Sequence, residues 1–135
     1  MRLKIGMVLK LFLVDTNPPK LKYLIIVGVD RSSISCVSVL INSKPNRKVH
    51  WHVDLMALQV PISASDHDFL NYDSFVDCSN LRQEQISDLE SELNSNPDAY
   101  IGDVTQTFLE TLRNAIKHSM TIKGKLKKKF GFYYP

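Results

Sequence analysis

Three observations in this 135-residue chain predict an α+β domain: a strongly curved, mainly antiparallel sheet or small barrel, with a long C-terminal helix and a shorter helix before it. The first is the stretch Leu21–Ser43, in which two apolar runs flank a short polar turn. The second is the shortness of the other apolar runs, which are separated by proline, glycine and asparagine. The third is a single apolar stripe at helical spacing, Val104, Phe108, Leu109, Leu112, Ala115 and Ile116, near the end of the chain.

Taken in order, Met7–Val14 reads as a first strand, with Leu9, Leu11 and Leu13 on one face and Val8, Lys10, Phe12 and Val14 on the other. Its positive, apolar beginning has the outline of a secretory leader, but Lys10 interrupts it and no small-residue cleavage site follows. Asp15–Lys22 carries two adjacent prolines that cannot donate to a sheet ladder, so it connects rather than pairs. Leu24–Val27 is a β-branched-rich run too short for an ordinary helix, and Ile34–Ile41 has apolar residues at both parities. Gly28–Ser33 supplies the reversal between them. The expected result is an antiparallel hairpin covered on both faces, at the centre of the sheet.

Asn42–Lys48 is a basic, proline-containing loop. Trp51–Val60 reads as extended and ends at Pro61, and Ser74–Ser79 as a short buried strand. Asn80 with Gln83 has capping-box spacing ahead of Ile86, Leu89 and Leu93, which predicts the shorter helix. Asp103 with Gln106 repeats that spacing ahead of the long helix. The domain is expected to span residues 1–120. Residues 121–135, with five lysines within seven positions followed by Phe130, Phe132, Tyr133 and Tyr134, read as a basic, aromatic tail too rich in like charge to fold alone.

Composition narrows the function classes. The net charge of +3 conceals blocks. Residues 1–48 hold nine basic and two acidic side chains, residues 49–110 one and twelve, and residues 111–135 seven and none. Such a layout suits an anionic ligand on one face and a basic partner on another, or mutual neutralisation on folding. No run is long enough to cross a bilayer. Two cysteines, Cys36 and Cys78, are too few for a disulfide framework, and a reducing cytoplasm is expected.

Chemistry-bearing residues converge on one candidate site. Lys20 and Lys22 enter one central strand, and Lys44, Arg47 and Lys48 follow its neighbour; an antiparallel hairpin brings those ends together. Asn42 and Ser43 add hydrogen-bonding groups, and the set meets the minimum for holding a phosphate backbone. Solvated hairpin ends are the competing reading. His50, His52 and Asp54 would share one side of a strand, but the pattern lacks the multi-segment ligands of ordinary metal sites. Asp66-His67-Asp68 reads as a structural loop before an acid–base cluster. The five glycines are scattered and form no phosphate loop, and no cofactor or metal is called for. The lysine-rich tail, with its interleaved aromatics, has the ingredients of a nucleic-acid grip; a solubilising end or a docking segment remain alternatives.

The order of an opening strand ending in LVD, a proline loop, a KYLIIV strand, a CVSVLINS strand, a later SFVDCS strand and a terminal amphipathic helix resembles the PemK/MazF-like toxins of bacterial toxin–antitoxin modules, over roughly Gly6 to His118. The resemblance implies an SH3-like β-barrel, a homodimer, a cognate antitoxin partner and metal-independent endoribonuclease activity on RNA. The family's Arg-Pro pair corresponds to Lys22 and Tyr23, its strand-ending Thr or Ser to Asn42 and Ser43, and its Arg-Cys-Asp-like stretch to Asp77-Cys78-Ser79. It thereby implies Lys22, Asn42, Ser43, Asp77 and Ser79 as catalytic positions, with Lys20, Lys44, Arg47 and Lys48 contacting RNA. The cysteine matches, whereas arginine has become acidic and aspartate has become serine. Metal-free RNA cleavage needs a base, an acid and a phosphate-stabilising cation, and lysine does not reproduce arginine's bidentate fork. The alternative function is a non-catalytic barrel serving as an interaction or nucleic-acid-binding module.

Overall fold

A computed structural model describes residues 1–46 and 52–133. Six strands form one antiparallel, curled sheet: β1 (Met7–Leu13), β2 (Lys20–Val29), β3 (Ser35–Asn42), β4 (Gln59–Ile62), β5 (Ser74–Gln85) and β6 (Tyr100–Asp103), in the order β4-β5-β3-β2-β1-β6. The helices are a short α1 (Val53–Met56), α2 (Ile86–Ser95), α3 (Gln106–Lys117) and α4 (Gly124–Lys129). Among the described residues no helix is long and apolar enough to cross a membrane.

The central hairpin explains the layering. Leu24, Ile25, Ile26 and Val27 are all buried, because alternate side chains enter two separate cores. On one face Ile25, Val27, Val37, Val39, Ile41 and Val76 pack with Leu109, Leu112 and Ile116 of α3. On the other, Leu9, Leu11, Leu24 and Ile26 pack with Ile86, Leu89 and Leu93 of α2. Helices therefore cover both faces of the sheet's centre.

The structure redraws several expected elements. β5 runs on through Asn80-Leu81-Arg82-Gln83-Glu84-Gln85, the segment expected to open a helix, because β3 offers it partners from Ser38↔Arg82 to Ser35↔Gln85. Long-range pairing thus overrides local helix propensity. Arg82 also ties β5 to the connection between β1 and β2, donating to Asp15 at 2.8 and 3.0 Å. The shorter helix begins after Gln85 instead. Within Trp51–Val60, residues 53–56 are helical and only the end is extended. The cap of α3 is Thr105, whose side chain accepts from the Phe108 N–H; Asp103 instead accepts from the Tyr100 hydroxyl.

Residues 122–133, part of the expected tail, are not separate from the domain. α4 turns Phe130 and Phe132 into the core shared with α3, where they are almost fully buried. Arg113 of α3 pins the segment, donating to the carbonyls of Val27 at 2.5 Å and Gly131 at 2.8 Å while its guanidinium lies 4.8 Å from the centre of the Phe132 ring. The lysine charge that argued against folding is carried outward on α4. The exception is Lys127, which is buried and donates to the Ser119 carbonyl at 2.6 Å.

Candidate phosphate-binding groove

The β2–β3 pairing places Tyr23 opposite Ile41, so the ladder delivers Lys22 and Asn42 side by side at the open end of the hairpin. Lys22 Nζ donates to Asn42 Oδ1 at 2.5 Å. A groove of about 220 Å³ opens there, lined by Lys20, Leu21, Lys22 and Tyr23 from β2 and by Ile41, Asn42 and Ser43 from β3 and its exit. Its far wall is Leu70, Asn71, Tyr72 and Ser74, from the loop that leads into β5.

Burial lowers the pKa of Lys22 from its ordinary value; Lys20 adds like-charge repulsion, and the field of Asp77 opposes both. The groove therefore contains a partly desolvated ammonium beside an exposed one. Asn42 holds the Lys22 ammonium through its oxygen, which leaves the Asn42 amide NH₂ as a further donor. Arriving phosphate oxygens would meet two cations, an amide and the Ser43 hydroxyl.

Asp77 and Ser79 do not line this groove. Asp77 sits on β5 opposite Leu40 and Gln59, and it is buried. Its carboxylate accepts from Gln59 Nε2 at 2.7 Å, Asn46 Nδ2 at 3.1 Å and the Ser79 N–H at 3.0 Å, and the Ser79 hydroxyl also donates to it. Such a set satisfies a buried charge. Asp77 reaches Lys22 through its field, while its close hydrogen-bond partners belong to β4, β5 and the loop after β3. Lys44 is exposed just beyond β3, and Arg47 and Lys48 lie outside the described residues.

The other candidates resolve into structural roles. His67 is buried, its Nδ1 is 3.0 Å from the Ser63 carbonyl, and its Nε2 accepts from the Thr105 N–H at 3.2 Å. These bonds tether the start of α3, with Phe69 and Phe108 against the ring. Asp66 and Asp68 remain exposed on either side. His50 lies outside the described residues, and His52 and Asp54 fall at the start of a helix rather than along a strand. Among the described residues no group of three His, Cys, Asp or Glu side chains is placed to hold a metal ion. Both cysteines are buried and free, and desolvation pushes the Cys36 thiol up to about 12.

Sequence reasoning passed over the loop wall of the groove and the Gln59–Asp77 pair. Tyr72 carried a usable signal, being an aromatic between the loop formers Asn71 and Asp73, and it is 60% exposed. Gln59 carried none, since its role depends on the β4–β5 register.

No protein-family model matches the chain, and no curated protein matches its sequence.

Proposed function

We propose that the protein is an RNA-binding protein of the PemK/MazF-like toxin type, with its curled sheet serving as an SH3-like barrel and the β2–β3 groove taking the phosphate backbone. The observation that carries this reading is the pairing of Lys22 with Asn42 at the mouth of the groove, with Lys20 and Ser43 beside them. Lys20 and Lys22 supply counter-charge, Asn42 and Ser43 orient phosphate oxygens, and Tyr72 offers a ring to an unpaired base. A cognate antitoxin would compete for the groove by presenting acidic side chains, and a homodimer would extend it.

Two readings of the chemistry are distinguished by Lys22 and Asp77. Cleavage without metal is favoured by the lowered pKa of Lys22, which makes it a better proton donor to a leaving 5′-oxygen than an ordinary lysine. Binding without turnover, the interaction-module reading, is favoured by Asp77, whose carboxylate is already occupied by Gln59, Asn46 and Ser79 rather than aimed at a ribose hydroxyl.

The test is expression of the chain alone in bacteria, together with incubation of purified protein with defined RNA. Toxin activity predicts growth arrest, RNA cleavage in the presence of chelator, and relief of both by Lys22→Ala. Normal growth with salt-dependent binding and no cleavage selects the module. Absence of any RNA binding at low salt overturns both forms of the proposal.

A further inference from the structure

A second cationic surface lies at the other end of the same hairpin. Arg31 and Ser32, in the β2–β3 turn, face Lys128 and Lys129 of α4 across a cleft of about 480 Å³ that also includes Asp30. Arg31, Lys128 and Lys129 are exposed. Asp30 does not neutralise them at close range: its carboxylate accepts from the Ile34 N–H at 2.9 Å and the Ser35 hydroxyl at 2.8 Å. Among the described residues, the close cation–carboxylate pairs are those of Arg82, and none of them involves a lysine of α4.

The fold gives these charges fixed positions. Burial of Phe130 and Phe132, with Leu126 packed against the same core, anchors α4. Close approach of Gly28 to Phe130 seats it against β2: a Cβ at Gly28 would lie 3.1 Å from both the Phe130 Cβ and its carbonyl oxygen.

We propose that Arg31, Lys128 and Lys129 form a second, sequence-independent contact for an RNA phosphate backbone, engaged by a strand that also occupies the Lys20/Lys22 groove. The identification of RNA rests on the function proposed above. The chemistry of the cleft favours a phosphodiester chain over other anionic partners. Its lining residues are Asp30, Arg31, Ser32, Lys128 and Lys129, with no aliphatic or aromatic side chain to act as the anchor on which protein interfaces depend. Of the aromatics on this segment, Phe130 and Phe132 are turned into the core and unavailable for insertion into a lipid surface, while Tyr133 is 44% exposed. β2 spans ten residues, which sets the two ends about 30 Å apart at about 3.3 Å per residue. A strand long enough to reach both ends gains from linked binding, and a shorter one does not.

The experiment measures the affinity of the full chain for two unstructured oligoribonucleotides, one covering a single end and one able to span both, as a function of salt. The wild-type protein should bind the longer RNA at least tenfold more tightly. The double variant Lys128→Glu/Lys129→Glu, on an exposed face, should remove that advantage and reduce the magnitude of the salt slope for the longer RNA by about one or more, at about 0.7 per phosphate contact. Its affinity for the short RNA should not change. Equal affinities for the two lengths in wild type, or an unchanged length advantage in the variant, would overturn the second contact. So would charge reversal that abolishes binding to anionic phosphatidylserine vesicles while sparing long-RNA binding. Lys22→Ala in the Lys128→Glu/Lys129→Glu background separates this idea from the groove reading: loss of short-RNA binding there supports the groove, and retention refutes the groove itself.

Discussion

Replacing Phe130 by alanine tests whether the end of the chain belongs to the domain. The side chain is 1% exposed and lies in the core cluster that holds Val27, Val37, Leu112 and Ile116. Truncating a fully buried phenylalanine costs about 3–5 kcal/mol, the lost transfer energy plus the residual cavity. Relaxation here is limited, because Gly28 brings the β2 backbone against Phe130 and Arg113 holds the next residue's carbonyl. With a urea dependence of about 2 kcal/mol per molar, typical of small domains, the unfolding midpoint should fall by about 1.5–2.5 M. The assay is equilibrium urea unfolding followed by far-ultraviolet circular dichroism and by tyrosine fluorescence. A midpoint within about 0.3 M of wild type would refute the reasoning, because a segment that merely lies on the surface loses nothing on truncation. Loss of amplitude in a separate early transition would also refute it, since the end would then unfold apart from the sheet.

Two further outcomes follow from titration. Lys22 has a lowered pKa through burial, so its contribution to RNA affinity should decline as pH rises at values below those of an ordinary lysine; Lys22→Arg should hold affinity to higher pH, as read from RNA titrations across the alkaline range. Identical alkaline profiles for the two proteins would remove Lys22 from the phosphate site. Cys36 has a folded pKa of about 12 against an ordinary value of 9.0, and Cys78 is also raised. A raised acid means that the unfolded chain releases its proton first, so stability is intact below about pH 9 and is lost progressively as pH rises towards 12. Native thiols should accordingly resist a water-soluble thiol reagent until urea unfolds the chain. Rapid labelling of both in the native state would contradict their burial.

Much of the site was legible along the chain because it depends on local order. Lysines at the entrance of one strand and polar residues at the exit of the next must meet if the two strands form a hairpin, and the Lys22–Asn42 contact is that geometry. The position of Asp77 relative to them was not legible. Its burial under Gln59 and Asn46 depends on how β4 and β5 are registered, and neither strand's sequence specifies a partner over that separation.

The sequence by itself determined the central antiparallel hairpin, the buried parity of β1 and the long amphipathic helix, because each is written in a period of side chains within one segment. The tertiary structure decided what those periods cannot encode. The pairing partner turned Asn80–Gln85 into strand, and a core with room for two more rings drew Phe130 and Phe132 inward while leaving most of their lysines at the surface. The reason is physical: hydrogen-bond ladders and apolar burial between distant segments can outweigh local propensity and like-charge repulsion, and only the folded chain shows which distant segments meet.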